Sequence, residues 1–298
     1  MDRKRLLYIV SAEPHVSPFD INMAYDGGFD AVLPYGGVRA GSVRGLVQDI
    51  MFSRGAKGAR ASALLVASAD LGEAEAAFAA ARAALLDPFR IGLMIDPKGA
   101  YTTAAALLAK VEAVRRAGGM GGLAGASVLV LGGTGGVGRA AAAMAAADGA
   151  RVTLVSRDVV RAQVAAAEVA ALYGVEVAAR GAAGEADRAA LAAGSDVVLA
   201  TGAAGAVLLG EPAVRALRGP KVLADINAVP PAGLAGVEPA ADGSAIAPGL
   251  FAIGALAVGG LKYKVESALL ADLKDAGPAP CLDAAAARRR AGELLARA

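Results

Sequence analysis

The sequence has no tryptophan, one cysteine (Cys281), one histidine (His15) and only 4% aromatic residues. Each shortage removes a class of chemistry. One cysteine cannot form a disulfide within the chain, and one histidine leaves no Cys/His cluster for zinc, so no metal is expected. Any Ser–His or Cys–His relay would have to run through His15. An excess of one charge is missing too: 30 Lys+Arg against 28 Asp+Glu leave a formal net charge of +2, a poor basis for binding nucleic-acid phosphates. Membrane-length apolar runs are lacking despite 56% hydrophobic residues, because alanine supplies much of that fraction. The best candidate span, 244–261, is interrupted by Pro248, Gly249, Gly254, Gly259 and Gly260. The apolar run 6–10 is too short for a signal peptide. These absences point to a soluble cytoplasmic protein with neither nucleic acid nor membrane as partner.

Short aliphatic runs alternate with alanine-rich stretches of helical period. Strands are expected at 5–11, 31–34, 63–68 and 91–96, with helices starting after Ser17 and over 42–54, 72–86 and 102–117. Ser17, Pro18 and Asp20 form a helix start: a capping hydroxyl, a proline at the first position and an acid near the positive end of the dipole. The segment 117–125 has five glycines in nine residues and reads as a linker or hinge. Beyond it the pattern restarts, with strands at 127–131, 151–156, 175–179, 196–200, 221–225 and near 251–255. Helices are expected at 137–148, 159–173, 185–193 and 212–217, and from Leu261 onward. Repeated strand–helix units imply parallel sheets, so the fold class is α/β with two domains.

The sharpest local signal opens the second half. An apolar strand runs into Gly132-Gly133-Thr134-Gly135-Gly136-Val137-Gly138 and then into an alanine-rich helix. Gly133, Gly135 and Gly138 give G-x-G-x-x-G in the right context. Gly133 is read as the tight turn, Gly135 as the point where backbone approaches a pyrophosphate, and Gly138 as the close helix–strand contact. This half is therefore expected to be a Rossmann-type parallel sheet. Its second strand ends in Ser156-Arg157-Asp158. A small polar residue followed by arginine favours a 2′-phosphate, hence NADP, with NAD as the alternative. Asp158 either reads a ribose hydroxyl or N-caps the next helix. Thr201 and Ala203, in a small-residue loop after one strand, and Asn227, after the next, fit the remainder of such a site.

Hydride transfer from an alcohol needs a base or a metal, and neither a Tyr-x-x-x-Lys pair nor zinc ligands are apparent. Oxidation of a methylene flanked by two nitrogens needs neither. The lone pairs stabilise the cation left behind, and positioning is most of the catalysis.

Four blocks then carry a resemblance: Ser17-Pro-Phe-Asp-Ile-Asn-Met-Ala-Tyr-Asp-Gly-Gly-Phe29, Asp96-Pro-Lys-Gly-Ala-Tyr-Thr-Thr-Ala104, Asp225-Ile-Asn-Ala-Val-Pro-Pro-Ala-Gly233 and Ile253-Gly-Ala-Leu-Ala-Val-Gly-Gly-Leu-Lys-Tyr-Lys264. Together they resemble bacterial methylene-tetrahydromethanopterin dehydrogenases, which serve formaldehyde oxidation in methylotrophs and are similar in fold to methylene-tetrahydrofolate dehydrogenases. The resemblance implies a smaller α/β pterin domain, 1–117 and 262–298, completed by the C-terminal helix, and an NADP-binding domain, 118–261. It implies hydride transfer from methylene-tetrahydromethanopterin to NADP or NAD across a cleft, and a homo-oligomer, trimer-based in that family's manner. It assigns Lys262 the leading catalytic or positioning role with Asp20 beside the pterin, and gives Phe19, Asn22, Asp96, Tyr101, Thr102 and Thr103 to the substrate side. Methylene-tetrahydrofolate is the alternative carrier. A non-catalytic NADP-binding sensor is the rival of another class, and a shikimate-type dehydrogenase shares the architecture. His15 is read as structural or solvated, Cys281 as a buried inert thiol, and Arg288–Arg290 as a solvated face or subunit contact.

Overall fold

The computed structural model describes residues 3–275 and 279–297. The chain divides into two compact units: residues 1–102 with 263–290, and residues 103–262 with 291–298.

In the first unit, β1 (Leu6–Val10), β2 (Ala31–Tyr35), β3 (Ser62–Val66) and β4 (Gly92–Ile95) alternate with α1 (Pro18–Asp26), α2 (Ala40–Ala59) and α3 (Leu71–Ala84). After β4 a short turn leads into α4 (Ala100–Ala117). The four strands pair in parallel, and the central β3 is buried along its whole length. Parallel strands covered on both faces carry such unbroken apolar runs. The Ser17 hydroxyl accepts from Phe19 N–H, so α1 starts as its sequence indicates.

The second unit holds β5 (Ser127–Leu131), α5 (Gly136–Ala147), β6 (Arg151–Ser156), α6 (Val159–Tyr173), β7 (Ala178–Gly181), α7 (Glu185–Ala193), β8 (Val197–Ala200), α8 (Glu211–Ala216) and β9 (Lys221–Asp225). A hairpin of β10 (Asp242–Ala247) and β11 (Leu250–Ile253) follows. The sheet order is β10-β11-β9-β8-β5-β6-β7, with only β10 antiparallel. Without β10 this is the doubly wound order of dinucleotide-binding sheets.

Three further elements close the chain: α9 (Ala255–Asp275), β12 (Cys281–Leu282) and α10 (Ala284–Ala296). Within the first unit, β12 adds an edge strand beside β4, and a Cβ placed on Gly92 would lie 2.9 Å from Leu273 of α9. C-terminal residues thus complete the first unit.

Several expectations change. The last long helix starts at Ala255, six residues before Leu261, because Gly259 and Gly260 are carried inside it. β10 and β12 escape the sequence reading; β10 carries small and polar residues at an edge, and β12 is only two residues long. Cys281 is an exposed residue rather than a buried one; the partial covering of its thiol is still enough to raise its pKa. Arg290 of the basic run pairs with Asp272 of α9. The glycine-rich segment lies wholly within the second unit and is tied down. Arg115 donates Nε–H to Gly122 O at 3.0 Å and Nη2–H to Met120 O at 2.9 Å. It is a fastened turn, not a free hinge. Helix α4 beyond Thr102 groups with the second unit for a related reason. Lys110 pairs with Asp242 at 2.6 Å, and Val114 lies against Gly243.

The amino ends of the central strands are locked by a polar knot. Asp196 accepts from Ser127 N–H and Oγ–H, both at 2.7 Å. Lys221 donates to Ala193 O at 2.8 Å and to Ser195 O. Burial alone would raise the Asp196 pKa, but the two Ser127 donors, with Arg115 and Lys221 nearby, hold it below the ordinary value. A carboxyl held low in the folded state contributes stability above its ordinary pKa and loses it as pH falls through the folded value. Asp196→Ala is expected to cost about 2 kcal/mol in urea unfolding at neutral pH. The gap between the parent and the variant should narrow in acid, below the usual carboxylate range.

Candidate functional site

In the second unit the strand order reverses at β5 and β8: β6 and β7 extend to one side, β9 and β11 to the other. Ligands of open α/β sheets bind at the carboxyl ends of strands flanking such a reversal. Here the two loops touch backbone to backbone. Gly132 has φ +67°, and a Cβ on it would lie 2.5 Å from Gly202 Cα. Thr201 donates its N–H and hydroxyl to Leu131 O at 2.9 and 3.1 Å.

The neighbouring glycines have different tasks. A Cβ on Gly133 would meet Leu154 of β6 at 2.8 Å, and one on Gly138 would lie 2.7 Å from both Gly133 Cα and Thr201 Oγ1. Both let α5 settle onto the sheet. The tight turn expected at Gly133 is made by Gly132, since the left-handed backbone falls one residue earlier. Gly135 is the N-cap of α5, makes no side-chain cap bond, and has open space where a Cβ would be. Gly136, Val137 and Gly138 follow in the first turn, whose N–H groups have no acceptor within the helix. An anion is the natural partner for such donors. The arrangement therefore fits a dinucleotide phosphate.

Beside this turn is a cavity of about 750 Å³ lined by Gly132, Thr134, Ser156, Ala203 and three arginines, Arg157, Arg161 and Arg188. Asp158 lines it as well and accepts from Val160 N–H at 2.8 Å, so of its two expected roles it fills that of N-cap to α6. Asn227 is engaged by its own loop: it donates to Pro231 O at 3.1 Å and accepts from Val229 N–H at 3.0 Å. Asp225 holds the same loop through Asn227 and Leu234 N–H, and burial raises its pKa against the pull of those bonds.

Most substrate-side residues are enclosed. Phe19 and Asn22 on α1 are exposed, whereas Asp20 is only 6% exposed. Asp96 caps α4, accepting from Tyr101 N–H at 2.9 Å and from the Thr102 hydroxyl at 2.6 Å. Tyr101 and Thr102 have no exposed surface, and the Tyr101 hydroxyl bonds Glu75. Of that trio only Thr103 is partly exposed. Lys262 lies about two turns inside α9 and is 9% exposed, so it does not begin that helix. His15 is exposed in the loop after β1.

Sequence reasoning passed over Arg161 and Arg188. Arg161, in the first turn of α6, follows Arg157 by four residues, a proximity that was available as a signal, whereas Arg188 reaches the cavity from α7, which no local motif announces. It also passed over two residues at the carboxyl edge of the first sheet. Glu13 accepts from Ala69 N–H at 3.1 Å and bonds the Ser11 hydroxyl, joining the loops after β1 and β3. Lys98 has φ +48°, the one positive φ outside glycine among the described residues. Strained backbone of this kind collects at functional sites.

Gly138→Ala should lower stability by about 1–3 kcal/mol, since the added methyl has backbone on one side and Thr201 on the other. It should weaken nucleotide affinity at the same time, as measured by denaturation and by titration with NADP.

Comparison with known proteins bears on the lineage and the fold. Residues 18–98 match the family model described as methylene-tetrahydromethanopterin dehydrogenase, N-terminal. The NAD(P)-dependent methylenetetrahydromethanopterin dehydrogenase of Methylorubrum extorquens is 34% identical over 98% of this chain and 99% of its own. The protein of that organism called bifunctional protein MdtA is 37% identical over 91% of this chain and 92% of its own. Among solved structures, the ligand-free 5-ketofructose reductase of a Gluconobacter species has a TM-score of 0.56 at 20% identity, covering 98% of this chain and 99% of that one. Shikimate 5-dehydrogenase of Listeria monocytogenes has 0.54 at 14% identity, covering 98% and 96%. These two share the fold, and the near full-length relatives settle the lineage: the chain belongs to the NAD(P)-dependent methylenetetrahydromethanopterin dehydrogenase family.

Proposed function

We propose that this protein oxidises methylene-tetrahydromethanopterin to the methenyl cation with NAD(P) as hydride acceptor, as an enzyme of one-carbon oxidation. The observation that carries the reading is the β5–α5 turn, with its uncapped helix start beside a cavity walled by arginines, in a chain that matches the dehydrogenase of Methylorubrum extorquens along its whole length. Bound there, the nicotinamide supplies the two-electron acceptor.

The chain's own residues are then left with binding and orientation. The cofactor is assigned to the second unit: the glycine turn and the start of α5 hold the pyrophosphate, Ser156 and Arg157 face the adenosine ribose, and Thr201, Ala203 and Asn227 line the remainder. The pterin is assigned to the first unit, with Phe19 and Asn22 as its exposed contacts and Asp20 as the nearby negative charge. Asp96, Tyr101 and Thr102 act by holding the start of α4, and Thr103 offers a partly exposed hydroxyl. Lys262 is the leading catalytic or positioning group. No proton relay is required, because the hydride leaves from a carbon between two nitrogens whose lone pairs stabilise the resulting charge.

Two finer readings go with this one. A homo-oligomer is supported by an exposed apolar cluster on the first unit, where Phe52 and Phe89 pair edge to face with ring centroids 5.7 Å apart near exposed Leu86. A cytoplasmic location is supported by the single cysteine and by the absence, among the described residues, of a helix long and apolar enough to cross a membrane.

Nicotinamide reduction should appear when the enzyme is mixed with methylene-tetrahydromethanopterin and NADP or NAD. Methylene-tetrahydrofolate should serve less well. Failure to reduce either nicotinamide with either carrier would overturn the proposal. Lys262→Ala should lower kcat, or raise the pterin KM, by at least about tenfold, as expected for loss of a charged contact. Unchanged steady-state constants would remove Lys262 from the reaction.

A further inference from the structure

Resting on the reading of the arginine-walled cavity as the cofactor site, we infer that Arg188, rather than the strand-tip Arg157, is the main determinant of 2′-phosphate recognition. The argument starts from a donor count. A guanidinium carries five N–H groups in a fixed plane. Arg188 commits three to backbone carbonyls: Nε–H to Leu208 O at 2.7 Å, and Nη1 to Ala183 O at 3.0 Å and Ala182 O at 3.3 Å. The two N–H groups of Nη2 have no partner among the described residues. Arg188 is half-buried at the cavity wall, and its plane is locked by the loops after β7 and β8.

Arg157 and Arg161 line the same cavity but are exposed, and neither guanidinium is hydrogen-bonded to a described residue. Both must be ordered when a ligand arrives, which costs side-chain entropy that Arg188 has already lost on folding. A planar pair of donors held in advance suits a phosphate dianion better than two mobile charges do. The one carboxylate on this wall, Asp158, has an oxygen occupied as N-cap and shares the cavity with three guanidinium groups. The electrostatic balance therefore favours an anion.

The test is equilibrium titration of the full chain with adenosine 2′,5′-bisphosphate and with adenosine 5′-monophosphate. The parent should prefer the bisphosphate. Arg188→Lys, which keeps the charge but loses the fork, should weaken the bisphosphate by about tenfold or more and the monophosphate by less than about threefold. Arg157→Met should reduce the preference by a smaller factor. Equal weakening of both nucleotides by Arg188→Lys would make Arg188 only a loop tie and overturn the inference. So would an unchanged preference in Arg188→Lys, or a larger loss in Arg157→Met. A parent that binds neither nucleotide would instead remove the cofactor reading itself, and the inference with it.

Discussion

The site depends on one constraint: two loops at the centre of the second sheet must meet without side chains between them. A carbon added to Gly132 would lie 2.5 Å from Gly202 Cα, far inside van der Waals contact, and one added to Gly138 would lie 2.7 Å from Gly133 Cα. This contact places the uncapped start of α5 at the reversal of the sheet. The alanines of α5 extend the same logic, since residues 140–145 are all buried and five of the six are alanines, Met144 being the one longer side chain among them. The hydrogen bonds from Thr201 to Leu131 fasten the two strand ends where the helix rests.

The two edges of this sheet have opposite characters. At the amino ends, Asp196, Ser127 and Lys221 satisfy one another and the neighbouring carbonyls, so that edge contributes stability. At the carboxyl ends, donors remain uncommitted: the first-turn N–H groups of α5 and part of the Arg188 guanidinium. Buried or half-buried donors left unpaired lower stability, which is why a fold concentrates them where a ligand can satisfy them.

Much of this was legible in the sequence. The strands 127–131, 151–156 and 221–225 and the helix 159–173 fall where periodicity puts them, because apolar runs and helix caps are local signals. The glycine turn was legible as a motif, but the division of labour within it was not. Which glycine takes positive φ depends on how closely β8 approaches, a long-range contact. The same holds for the first unit. Asp96 stands in a motif as a substrate-side residue, and the fold gives it a task the motif does not announce, the capping of α4 through Tyr101 and Thr102; Tyr101, polar and aromatic, is wholly enclosed with its hydroxyl on Glu75. Arg188 was invisible because three carbonyls from two separate loops define its role. The fastened glycine segment after α4 misled for the opposite reason: its composition suggests freedom, and a single arginine removes it.

The alanine face of α5 has a consequence for how this enzyme would age or evolve. A helix seated mostly on methyl groups, with Met144 as its one flexible buried side chain, has little to re-pack with, so thickening the seam would shift the rod and carry its phosphate-facing tip along. Damage there would register first as a slackened grip on the dinucleotide, while the sheet beneath, locked at its far edge, still stood. Substitutions in the loops around the seam would carry no such penalty.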